Sequence, residues 1–102
     1  MRNKAGGIYG IYSLSSEKVK KLLYIGLTSR PLIQRWTEHL NITNGISPTP
    51  KGMDNLYTLL RARKNNYELL IDLFVDFDTI QTNRPLSQNE KEAMELGFIS
   101  AL

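Results

Sequence analysis

Read as alternating apolar and polar positions, the chain begins with two short β-type runs, Ile8 to Leu14 and Leu22 to Ile25, rich in β-branched and aromatic residues. The polar segment Ser15 to Lys21 between them predicts a β-hairpin, with Gly26 ending the second strand. Pro31 suits the first turn of a helix, where its missing N–H costs nothing. The period then becomes helical, and Ile33, Trp36 and Leu40 mark the expected buried face. Asn41 to Gly52, with Asn44-Gly45, Pro48 and Pro50, reads as a loop. A second helix is expected from Asp54, as N-cap, to Lys64, with Leu56, Leu59 and Leu60 inward and Arg61, Arg63 and Lys64 suiting the dipole at its end. Tyr67 to Phe77 sets Leu69, Ile71, Leu73, Val75 and Phe77 against Asp72 and Asp76, the pattern of a third strand with a solvated acidic face. After a connector from Asp78 to Leu86, Ser87 and Glu90 form a capping box that opens a last helix. Its inward positions are Met94, Phe98 and either Ile99 or Leu102.

These elements predict an α/β fold, a small three-stranded antiparallel sheet flanked by helices in the order ββααβα. At 102 residues the chain reads as a single domain, 1–102, with residues 1 to 6 a frayed lead-in. Absence of cysteine removes disulfide frameworks and thiolate zinc sites, and a single His removes multi-histidine metal centres. A metal would therefore be a hard cation held through oxygen. With neither a signal-peptide pattern nor an apolar run of about 20 residues, the expectation is a soluble, cytoplasmic protein without a membrane partner.

The net charge of +3 is mild but uneven: residues 1 to 51 carry eight Lys and Arg against two acids, and residues 52 to 102 carry five against eight. Positive charge thus gathers around the hairpin and first helix, where a phosphate backbone could lie or where the surface is simply solvated. In that first helix Arg35 and His39 are four residues apart and share a face. A lone His beside a core helix is also open to the plainer reading of a satisfied or solvent-facing side chain. In the last helix Glu95, one turn before Phe98 and Ile99, borders the apolar stripe.

Gly10-Ile11-Tyr12 and Tyr24-Ile25-Gly26, followed by Arg35-Trp36-Thr37-Glu38-His39, together resemble the GIY-YIG nuclease superfamily, which includes homing, repair and restriction-type endonucleases. Glu95-Leu96-Gly97-Phe98-Ile99 is similar to the family's Glu-bearing helix. Gly7-Ile8-Tyr9 is a second copy of the first triplet; spacing favours Tyr12, and choosing Tyr9 would turn the other strand face to the site. The resemblance implies a metal-dependent DNA endonuclease, a phosphodiester hydrolase. In it Tyr12 would be the general base, with Arg35, the metal and His39 helping to lower its pKa, Tyr24 would orient water or phosphate, and Arg35 would contact a phosphate oxygen. Glu95 would hold Mg²⁺ or Mn²⁺, and Arg30 would hold a flanking phosphate. A phenol with an ordinary pKa near 10 needs neighbouring positive charge for such a role.

Two departures bear on this reading. Leu27 follows Gly26 where many relatives carry a basic residue, and the chain reaches Leu102 before the family's Asn beyond the Glu helix. The second suggests a nuclease domain trimmed at its C-terminus from a longer parent that supplies additional DNA-binding parts. The alternative is a nucleic-acid-binding or regulatory module of the same fold with weak cleavage or none.

Overall fold

The computed structural model describes residues 3–80 and 84–101. Its elements are β1 (Gly7–Leu14), β2 (Lys20–Thr28), α1 (Leu32–Thr43), α2 (Asp54–Lys64), β3 (Glu68–Asp76) and α3 (Gln88–Ser100), the expected ββααβα order. The three strands form one antiparallel sheet in the order β2-β1-β3, so the strand with the doubled triplet is central. Among the described residues no helix is long and apolar enough to cross a membrane.

Each face of the sheet has its own core. Tyr9 and Ile11 project towards α1 and α2, where Leu32, Ile42, Tyr57 and Leu60 complete one cluster. Ile8 and Ile25 project the other way, with Phe77, Met94 and Phe98. Because β1 is covered on both sides, it reads as a nearly continuous apolar run.

Two β-bulges adjust this scheme. Leu23 is the extra residue of β2, lying between the pairs Ile11 with Tyr24 and Tyr12 with Leu22. Phe74 is the extra residue of β3, between the pairs Ile8 with Val75 and Tyr9 with Leu73. Beyond Phe74 the strand changes face, so Leu69, Ile71 and Leu73 join the first core while Phe74, Val75 and Phe77 join the second. The single apolar face expected for β3 is thereby corrected. Phe74 stacks on Phe98 of α3 at 5.4 Å and reaches over Gly10, where a Cβ would stand 2.4 Å from its ring.

Local details depart from the sequence expectations for physical reasons. β2 continues past Gly26 to Thr28, because Leu27 and Thr28 still pair with Ile8 and Gly7. α1 runs on to Thr43, three residues into the expected loop, and Pro31 stands at its N-cap position rather than in its first turn. Its buried face is Leu32, His39, Ile42 and Thr43, with Trp36 packed against the core, while Ile33 is 56% exposed. The helix is therefore rotated from the expected orientation, and His39 lies inside. In α2 the cap position is Met53 rather than Asp54; Leu60 is buried as expected, but Tyr57 is buried as well and Leu59 is exposed.

Residues 3 to 6 are anchored, not frayed. Asn3 is buried; its amide donates to the Gly6 carbonyl and Asp76, and its Oδ1 accepts the Leu32 N–H at 2.9 Å. That last bond caps α1 from outside its own segment, since Pro31 offers no side-chain acceptor. At the other end of α1, Arg61 donates to the Ile42 carbonyl at 3.0 Å, tying α2 to it. Asp72 is paired with Lys20 at 2.6 Å and Asp76 is engaged by Asn3, so both aspartates of β3 are occupied in structural bonds.

The capping box forms as expected: Ser87 Oγ accepts the Glu90 N–H, and the Glu90 carboxylate accepts the Ser87 N–H. Ile99 is 48% exposed, and Leu102 lies outside the described residues. Replacing Ser87 with Ala should lower stability by about 1 kcal/mol in urea denaturation. An unchanged midpoint would mean that α3 is held by packing alone.

Candidate active site on the α1 face of the hairpin

In the observed register Tyr9 is opposite Gly26, and the Tyr9 ring lies across that glycine. A Cβ on Gly26 would stand 2.3 Å from Tyr9 Cζ and 2.4 Å from its hydroxyl, so a glycine is required there by close approach. Tyr24, one pair further along the same face, has its ring centroid 6.2 Å from that of Tyr9. The two tyrosines meet His39 of α1, whose ring is 5.7 Å from Tyr9 and 6.0 Å from Tyr24.

Tyr12 is elsewhere. An offset of three along a strand of period two sends Tyr9 and Tyr12 to opposite faces. Tyr12 packs edge-on against Phe74 at 6.4 Å, with the Lys20 ammonium 4.4 Å from its ring centroid. The first-triplet tyrosine that faces Arg35 and His39 is Tyr9, which corrects the preference for Tyr12. Spacing between triplets misleads here because Leu23 is an extra residue of β2, so counting residues between the triplets does not give the register.

His39 is fully buried and doubly bonded, its Nε2 lying 2.7 Å from the Tyr9 hydroxyl and its Nδ1 2.8 Å from the Tyr57 hydroxyl. Burial, with the Arg35 cation adding to it, lowers its pKa to about 4, so the imidazole is neutral at pH 7. Burial raises the Tyr9 phenol well above its ordinary value; Tyr24 adds to this and Arg35 opposes it. Tyr57 was not singled out by sequence reading. The apolar spacing Met53, Leu56, Tyr57 and Leu60 places it on the inward face of α2, and a phenol on that face needs a polar partner.

Arg35 stands at the mouth of this cluster, its side chain 19% exposed. Burial works against its charge, but interactions with Tyr9 and Glu38 outweigh this and raise its pKa. Glu38, missed by sequence reading, accepts both guanidinium nitrogens of Arg30 at 2.7 Å and one from Arg35 at 3.1 Å. The Arg30 pairing, helped by Arg35, holds its carboxyl below the usual range. Together Arg30, Arg35 and Glu38 line a cleft of about 290 Å³, closed by Asn41, Ser47 and Pro50.

Glu95 of α3 is half-buried, and the residues of β2 from Leu22 to Ile25 line a hollow together with Ile99, one turn further along that helix. Its pKa is raised, by burial and then by Glu92. Tyr24 feels both sides: burial raises its pKa, Arg35 lowers it, and Glu95 raises it. Glu95 makes no hydrogen bond or ion pair among the described residues, and no group of three His, Cys, Asp or Glu that could hold a metal occurs among them. A single carboxylate could serve only a cation that keeps most of its ligands as water, such as Mg²⁺ or Mn²⁺, and does not meet the ligand set of Zn²⁺.

Compared with protein families, curated proteins and solved structures, the chain finds no match in any of the three.

Two measurements test this arrangement. Because the folded-state pKa of His39 lies below its ordinary value of 6.5, the unfolded chain binds a proton that the folded chain refuses. Stability should therefore fall as pH drops from 7 to 5, by about 2 kcal/mol in urea titrations, and His39→Gln should flatten that slope. A slope equal in both proteins would place the titrating group elsewhere. Gly26→Ala should cost about 3 kcal/mol or more and displace Tyr9, read as a changed His39 ring resonance.

Proposed function

We propose that this chain is a metal-dependent DNA endonuclease domain of the GIY-YIG kind, hydrolysing phosphodiester bonds. The observation that carries the reading is the setting of Tyr24, a half-buried phenol acted on by the Arg35 cation of α1 and by the Glu95 carboxylate of α3. Three separate elements thus supply a cation, a phenol and a carboxylate, with Tyr24 close enough to feel both charges, and this supports the reading. Hydrolysis of a phosphodiester asks for these groups: charge stabilisation on the phosphoryl oxygens, an oriented water, and a Lewis acid.

Arg35 binds a non-bridging phosphate oxygen with its planar fork, taking its exposed edge from the cleft. Tyr24, the phenol bordering solvent, orients the attacking water, and Arg35 is the neighbour that favours its ionised form. Tyr9 and His39 lie beneath and hold Tyr24 and Arg35 in place; no water reaches Tyr9, which has no exposed surface. Bound at Glu95, Mg²⁺ or Mn²⁺ would supply Lewis-acid stabilisation of the developing charge. Arg30 meets a flanking phosphate only by exchanging its bond with Glu38, so Glu38 competes with DNA for both arginines.

One observation favours a second reading, a DNA-binding module that does not cleave: the tyrosine facing His39 and Arg35 is sealed from solvent and its phenol is held in the neutral form. Plasmid nicking decides between them. With Mg²⁺ or Mn²⁺ present, the protein should nick supercoiled DNA, and Arg35→Ala and Glu95→Ala should each lower the rate by about a hundredfold or more. Salt-dependent DNA binding without nicking would favour the module. Equal nicking by wild type and Glu95→Ala would sink the metal assignment.

A further inference from the structure

Tyr57 belongs to α2, which supplies none of Tyr24, Arg35 and Glu95, yet it is fully buried with its hydroxyl on His39. If this helix served packing alone, Phe would fill the position without a hydroxyl to satisfy. We propose that Tyr57 is a positioning residue: by accepting the Nδ1–H of His39 it fixes the tautomer whose bare Nε2 accepts the Tyr9 hydroxyl hydrogen, and so turns the Tyr9 lone pairs towards Arg35.

Counting hydrogens leads to this direction. A neutral imidazole has one N–H and one acceptor nitrogen, so of its two phenol partners one donates and the other accepts. Of the polar groups near the Tyr9 hydroxyl, His39 Nε2 is hydrogen-bonded to it and can accept, the Arg35 guanidinium can only donate, and the Tyr24 and Tyr57 phenols make no hydrogen bond to it. The Tyr9 O–H can therefore be satisfied only at Nε2. In the opposite tautomer it would be orphaned in the core, facing a cation. With Nε2 bare, the one hydrogen of the neutral imidazole lies on Nδ1, and the Tyr57 hydroxyl oxygen, 2.8 Å away, is the group that accepts it. Burial favours the neutral form of Tyr9 and of His39 alike, so the proton stays on Tyr9 and the chain of bonds orients groups instead of relaying charge.

The consequence for Arg35 rests on the nuclease reading above; the tautomer does not. The chain contains one histidine, so ¹⁵N-histidine-labelled protein gives a single imidazole in a long-range ¹H–¹⁵N spectrum at pH 7. The expected wild-type spectrum shows a protonated Nδ1 and a bare Nε2. Tyr57→Phe should lose this single tautomer and show the Nε2–H form as well. In nicking assays the same variant should lower kcat by about tenfold, the worth of one hydrogen bond, with KM unchanged. A wild-type Nε2–H tautomer overturns the proposal, and so does a Tyr57→Phe spectrum identical to wild type. If Tyr57→Phe does not fold, the wild-type spectrum alone decides. Protein that shows the expected tautomer and its shift in the variant, but nicks no DNA, keeps Tyr57 as the positioning residue and removes only the nuclease reading.

Discussion

The hydrogen-bonded line from Tyr9 through His39 to Tyr57 is the constraint on which the α1 side of this molecule depends. It joins the central strand to two helices through one imidazole, with all three side chains out of contact with water. Three polar groups removed from solvent carry a large desolvation cost, which is offset only while each keeps its partner. Among the described residues no buried side-chain nitrogen or oxygen lacks one. This explains why α1 turns His39 inward although a purely apolar face would have been available. Packing by hydrophobic residues tolerates small shifts; two bonds near 2.7 Å on opposite sides of a ring do not.

Much of this architecture can be read from the sequence, and what cannot has identifiable causes. The element order follows from alternating and helical periods, and the capping box from two residues. The α1 face was misjudged because a histidine counts as polar in a pattern, whereas a histidine with two phenol partners behaves as core. Tyr57 was overlooked because its meaning depends on His39, eighteen positions earlier and on a different helix. The choice between Tyr9 and Tyr12 was legible as a question and not as an answer. Bulges at Leu23 and Phe74 change which face a residue takes, and no residue count anticipates them. Gly26 did carry the information, but only once its partner strand is known.

The charge distribution also reads differently in three dimensions. The positive half of the chain suggests an open basic face, yet Lys20 is paired with Asp72 and Arg30 with Glu38. Such exposed pairs contribute little to stability and are exchangeable. Arg35, which shares Glu38 with Arg30, is the cation held by the buried cluster.

Two copies of one triplet on the central strand give folding a decoy. Sliding β1 by three residues would set Gly10-Ile11-Tyr12 where Gly7-Ile8-Tyr9 belongs, with a glycine, an isoleucine and a tyrosine each replaced by its own kind. Local sequence does not distinguish the two pairings. What does is what would arrive at two flanking glycines: Tyr9 at Gly6, whose φ is +78° and where a Cβ would stand 2.1 Å from the Thr28 carbonyl oxygen, and Ser13 at Gly10, where its Cβ would collide with the ring of Phe74. A phenylalanine placed by a bulge, on the face away from the candidate site, thus joins the Gly6 turn in rejecting the alignment that would bring Tyr12 to His39.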